Sequence, residues 1–118
     1  MIVLPFPPSA NRYWRSAARG GRAMVYKSAE AKAYAAAVDA MDTDHEVLYG
    51  PVNVEASFYF PSLRGDLDNR IKVLLDVLQG IAYADDRQVH ALCAVRRLDR
   101  ENPRVEVMAS EFIPLTED

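Results

Sequence analysis

The sequence has a single cysteine, Cys93, so no disulfide can form within the chain and stability must come from packing. Glycine is sparse, at five residues, and no Gly-rich phosphate loop of the nucleotide-binding kind is present. No run approaches the ~18 consecutive apolar residues of a membrane helix. Met1 to Pro8 contains neither a basic segment nor a long apolar stretch, so it does not read as a secretory signal. Repeats and low-complexity tracts are also missing. An unpaired thiol fits a reducing compartment, and the expectation is a cytoplasmic protein with no membrane partner.

A length of 118 residues has room for one domain, spanning 1–118. Half of the residues are hydrophobic, so one packed core is attainable. A chain of this size buries somewhat over ~60% of its unfolded surface, and dimerisation would add to its modest stability. Net charge is -3, but it is unevenly spread. Residues 1–35 carry six bases (Arg12, Arg15, Arg19, Arg22, Lys27 and Lys32) against Glu30 alone, a local balance of +5. Residues 36–60 carry five acids and no Lys or Arg, and the stretch from Glu101 onward is acidic again. A basic first third can bind phosphates while the acid lies elsewhere, because the local patch decides; a solvated basic loop accounts for the composition equally well.

Ile2-Val3-Leu4 is a short β-rich run stopped by Pro5, Pro7 and Pro8. Ser9 to Lys27 is polar, basic and aromatic around Gly20-Gly21 and reads as a long loop. Ser28 is a candidate N-cap for an alanine-rich helix running to about Met41. Val52, Val54, Ala56, Phe58 and Phe60 alternate with polar residues, the period of a strand with one buried face. A second helix runs from Leu67 or Asp68 to Gln79, with Gly80 suited to its C′ position and Leu67, Ile71, Leu74, Leu75 and Leu78 on one face. Val89–Arg97 and Arg104–Phe112 read as strands. The order β-α-β-α-β-β implies an α+β fold, a mixed or antiparallel sheet with two helices packed on it.

The segment Arg64-Gly65-Asp66-Leu67-Asp68-Asn69-Arg70-Ile71-Lys72 carries the chemistry. Two aspartates one residue apart at a loop-to-helix junction can converge on one cation. Mg²⁺ takes carboxylate and water oxygens, commonly one or two carboxylates plus a substrate phosphate. The same aspartates would serve equally as helix caps, where the dipole favours acids. Asp85-Asp86 follows the second helix, and the chain is expected to return it to the side of the sheet where Asp66 stands. An Asx turn leading into the strand explains that pair as well. Lys72 lies four residues after Asp68 and four before Asp76. Beside a metal-bound phosphate its ammonium would stabilise developing charge; otherwise it is an ordinary surface partner worth ~0.2–0.5 kcal/mol. Asp76 reads as a surface or supporting residue.

Three segments together resemble the RusA family of Holliday-junction resolvases: Leu4-Pro5-Phe6-Pro7-Pro8-Ser9-Ala10-Asn11-Arg12-Tyr13-Trp14, Asp66-Leu67-Asp68-Asn69 with Lys72, and Asp85-Asp86-Arg87-Gln88-Val89. Each is weak alone; their order and separations are specific, and the likeness spans essentially the whole chain. The resemblance implies a RusA-like homodimer with two active sites that nicks opposed strands of four-way or branched DNA in recombination, repair or phage DNA processing. It implies Mg²⁺ as cofactor, with Mn²⁺ able to substitute, held by Asp66, Asp68 and Asp86, with Lys72 as the essential lysine. Ligatable nicks with 5′-phosphate and 3′-hydroxyl ends are the products it implies. The sequence pI near 5.3 departs from the basic character usual in junction resolvases.

Arg12, Arg15, Arg19, Arg22 and Lys27, with Tyr13 and Trp14, are the candidate DNA contacts. The aromatics could stack on unpaired bases or anchor the loop to the core. His45 and His90 are isolated and have no metal-ligand spacing. A glycosyltransferase would need a nucleotide-binding domain for which there is little room. A phosphatase using Asp-x-Asp would place it directly after an apolar strand, whereas Pro61 to Gly65 intervenes here. The remaining alternative is a dimeric branched-DNA-binding protein that cleaves poorly or not at all.

Overall fold

The computed structural model describes residues 1–19, 22–41 and 45–114. In chain order its elements are β1 (Ile2–Pro5), α1 (Ala10–Tyr13), β2 (Trp14–Arg19), β3 (Arg22–Lys27), α2 (Ala29–Asp39), β4 (Val52–Phe60), α3 (Leu67–Val77), a 3-10 turn (Asp86–Gln88), β5 (Val89–Leu98) and β6 (Arg104–Glu111). Alternation makes β4 the organising strand. Val52, Val54, Ala56, Phe58 and Phe60 all point into the core. Beside them stand Val105 and Val107 of β6 and Ile2 and Leu4 of β1, and α2 and α3 supply Ala31, Tyr34, Val38, Val73, Leu74 and Val77 to the same core. Fully burying each large aliphatic or aromatic side chain contributes about 1.5–3 kcal/mol, so this cluster is the main source of stability.

The sheet is mixed, with strand order β1-β6-β4-β5. β4 pairs antiparallel with β6 and parallel with β5, running from Val52↔Val89 to Phe60↔Leu98. A parallel neighbour requires a crossover, and α3 provides it. The chain therefore leaves β4 at one end of the sheet and enters β5 at the other. β5 is an edge strand; its Leu92 and Leu98 are 41% and 47% exposed.

The α+β architecture expected from the sequence is the one observed. Ser28 caps α2 as expected, accepting the Ala31 amide at 3.1 Å. The segment Ser9–Lys27 differs from its reading as a loop: it forms α1 and an antiparallel ribbon, β2–β3, with register Trp14↔Lys27 through Arg19↔Arg22. Gly20-Gly21 was the visible signal for a hairpin, since such dipeptides join strands at two-residue turns. Its flanks lack a clean apolar alternation because the ribbon stands outside the four-stranded sheet. Among the described residues no helix is long and apolar enough to cross a membrane.

Candidate active site

Asp66 is the N-cap residue of α3, with extended backbone (φ -103°, ψ 136°), yet its side chain makes no cap hydrogen bond. Its one hydrogen bond among the described residues is from the Asn69 amide at 3.3 Å. Asp68 is in the first helical turn, and both carboxylates are exposed at the positive end of the helix dipole. Lys72 stands one turn further on, also exposed. Neither Asp68 nor Lys72 takes part in the ion pairs formed among the described residues.

The loop delivering Asp66 is held from β5. Arg96 donates to the carbonyls of Gly65 at 2.7 Å and of Ser62 and Arg64 at 3.2 Å each. Three carbonyls on one guanidinium use its fixed fork of donors. Gly65 has φ +94°, a conformation costly for any residue with a Cβ, and an added Cβ would sit 3.3 Å from Arg70 Nη2. Arg96 also lies over the Phe60 ring at 3.9 Å, Phe60 meets Phe6 edge-on at 4.8 Å, and Arg70 lies 5.1 Å from Phe6. Burial, then the nearby charge of Arg12, lowers the Arg70 pKa. Arg64, Arg70 and Arg96 were not singled out from sequence. Arg96 could be found only once the Phe58↔Arg96 register put a cation on the buried face of a strand.

Asp86 stands elsewhere. Its amide donates to Gln79 Oε1 at 3.1 Å, just past the C-terminal end of α3. Asp66 is at the other end of that helix, and 11 residues of α-helix are about 16 Å long. The expectation that the chain returns Asp86 to Asp66 is therefore not met, because the parallel β4–β5 pairing sends the chain to the opposite end of the sheet. Among the described residues no group of three His, Cys, Asp or Glu is placed to hold a metal ion. Asp85 instead supports the local backbone, capping the 3-10 turn through the Arg87 amide at 2.8 Å, in a capping box with Gln88. Hydrogen bonding to Arg87 holds its carboxyl below the usual range.

A family model described as "Endodeoxyribonuclease RusA" matches residues 5–110. The chain belongs to the RusA family. It is 32% identical to the crossover junction endodeoxyribonuclease RusA of Escherichia coli strain K12, covering 94% of this chain and 93% of that one. The crossover junction endodeoxyribonuclease of Enterobacteria phage 82 matches to the same extent. The uncharacterized protein YqaN of Bacillus subtilis strain 168 is 28% identical over 88% of this chain and 90% of its own.

In this RusA-family chain the candidate DNA contacts divide. Arg12 lines a cleft that also contains Asp66 and Arg70. Tyr13 is fully buried, so it anchors the segment instead of facing DNA, and its hydroxyl donates to Asp76 at 2.8 Å. Trp14 is half-buried and packs edge-on against Tyr13 at 4.9 Å. Lys27 pairs with Asp76 at 3.1 Å. Arg15, Arg19 and Arg22 have backbone positions on the β2–β3 ribbon, and their side chains lie outside the described residues.

Proposed function

We propose that this protein is a magnesium-dependent endodeoxyribonuclease that resolves four-way and other branched DNA by paired symmetric nicks, acting as a homodimer in recombination, repair or phage DNA processing. The observation that carries the reading is the pair of exposed carboxylates, Asp66 and Asp68, at the start of α3 beside an arginine-lined cleft, in a chain of the RusA family. The names borne by the Escherichia coli and phage relatives supply the substrate, a DNA crossover junction.

The donor set suits the metal. Asp66 makes no cap bond, so its oxygens are available to a cation, and hard carboxylate oxygens are what Mg²⁺ and Mn²⁺ prefer. Bound there, Mg²⁺ would polarise the phosphoryl group and steady the leaving oxygen. Lys72, one turn along α3, would stabilise charge developing on the phosphate.

The third carboxylate, Asp86, comes in this proposal from the second copy. β5 is an edge strand of ten residues, and its exposed Leu92 and Leu98 are suited to burial. A two-fold contact between antiparallel β5 strands exchanges the two ends of the sheet. It would carry the partner's Asp86 toward the end of β5 where Arg96 grips the loop before Asp66. Each dimer would then own two composite sites, as symmetric nicking requires.

The test is cleavage of a labelled four-way junction with Mg²⁺ and with EDTA, beside linear duplex of the same sequence. Paired, metal-dependent nicks confined to the junction are expected. A junction bound but uncut would favour the second reading, a branched-DNA-binding protein with little or no cleavage. One observation leans that way: a single chain gathers only two of the three carboxylates.

A further inference from the structure

Beside Asp66 the molecule has a cleft of about 780 Å³, between the proline-rich segment after β1, α2 and the start of α3. Small-molecule sites span about 300–1,000 Å³, so the space is far larger than an ion requires. Its charged lining is Arg12, Arg64 and Arg70 against Glu30 and Asp66. None of these arginines takes part in the ion pairs formed among the described residues. Arg70 is held by an aromatic face, Phe6, and its buried Nε–H has no acceptor. A cation packed on a ring keeps its charge for an anion, and a buried donor without a partner costs about 1–3 kcal/mol until one arrives. Arg12 and Arg96 bring like charge to Arg70, while Glu30 and Asp66 bring opposite charge. The electrostatics of the cleft are therefore mixed, and the orphaned Nε–H is what calls for an acceptor.

The rest of the lining is not built for a bare phosphate. Phe6 and Pro8, both partly exposed, give apolar surface, and Asn11 and Asn69 bring side-chain amides that can both donate and accept. Cations, apolar faces and amides together match a nucleotide, with its phosphate, flat base and polar base edge. Paired bases in a duplex are stacked and do not present this combination. A base at a branch point can, because the pair beside the strand exchange lacks a continuous stack on one side and opens at less cost than a pair inside a duplex.

We propose that this cleft receives one nucleotide whose pair opens at the branch point, its phosphate on Arg12 and Arg70 and its base against the Phe6–Pro8 surface within reach of Asn11 and Asn69. The proposal rests on the junction-binding reading above. It gives the site a means of recognising branched over linear DNA, since a pair at the branch opens more readily than one inside a duplex. It also ties recognition to chemistry, because Asp66 belongs to the same cleft.

Junctions carrying 2-aminopurine at single positions within two nucleotides of the branch test this, with EDTA present so that no strand is cut. Complex formation is followed in parallel by gel shift. The parent protein is expected to raise fluorescence several-fold at one branch position and to leave a labelled linear duplex unchanged. Arg70→Met keeps a long unbranched stem but removes the guanidinium that lies over Phe6, and Arg12→Met alters an exposed residue. Both should lose most of the enhancement while binding the junction within about tenfold of the parent. Enhancement that persists in both variants, or a parent complex without enhancement, overturns the cleft assignment and leaves the nuclease reading standing. A parent protein that does not bind the junction removes both.

Discussion

The Tyr13 hydroxyl donates to Asp76 at 2.8 Å, and Lys27 reaches the same carboxylate oxygen at 3.1 Å, joining α1, the end of β3 and α3. Tyr13 and Asp76 are 63 positions apart in sequence. The contact ties the base of the basic ribbon to the helix that begins with Asp66. Tyr13→Phe removes one hydrogen bond to a charged group, so a loss of about 1.5–3 kcal/mol is expected in urea unfolding. A cycle with Asp76→Asn should show coupling of about 1 kcal/mol; purely additive losses would mean the bond is not formed in solution.

Composite sites make a distinctive prediction for mixed dimers. Asp66→Asn and Asp86→Asn should each lose at least ~100-fold in junction cleavage while still binding the junction. Co-refolded in equal amounts, half of the dimers are mixed, and each mixed dimer keeps one intact site. Nicking should then recover to about a quarter of the parent rate, with single nicks predominating. No recovery on mixing, under conditions where subunits are shown to exchange, would place all three aspartates in one chain or exclude Asp86.

Leu92→Glu addresses the edge itself. Leu92 is already 41% exposed, so the charge should leave the monomer folded. On an antiparallel β5–β5 contact it puts like charges near the two-fold and should weaken the dimer at least ~100-fold, with cleavage falling in step. Sedimentation of the variant as a full dimer at micromolar concentration would place the interface elsewhere.

Alkaline pH probes three phenols. Burial is the largest cause of the raised pKa of Tyr13, Tyr34 and Tyr83; Asp76 adds at Tyr13, the Tyr13 phenol at Tyr34, and Asp86 at Tyr83. A group whose folded pKa lies above its unfolded value of about 10 contributes fully below that pH and loses its contribution as pH rises. Stability should therefore be flat with respect to these groups below about pH 10 and decline above it. Tyrosinate absorbance recorded with circular dichroism checks this. Ionisation of all six tyrosines before any loss of structure would contradict the burial.

What the chain determined locally is what could be read from it. The alternation through β4, the Ser28 cap, Leu74 and Leu78 on the core face of α3 and the Asp66-x-Asp68 pair at its start all rest on neighbours within a few positions. Val73 and Val77 of that face were missed, and Leu75 lies outside the core. The family resemblance was legible because its motifs are short and ordered along the chain. The ribbon within Ser9–Lys27 was missed because only Gly20-Gly21 marks it. Tyr13 looked as suitable for stacking as for anchoring until burial decided for anchoring. Tertiary structure alone settled the relation of Asp66 to Asp86. Whether β5 joins β4 parallel or antiparallel is a pairing between distant segments, unmarked in either, and the parallel choice sets the two aspartates at opposite ends of α3. The same register put Arg96 beside Phe60 and under the Gly65 carbonyl. Residue type and spacing specify which groups are available; strand direction specifies which of them can meet.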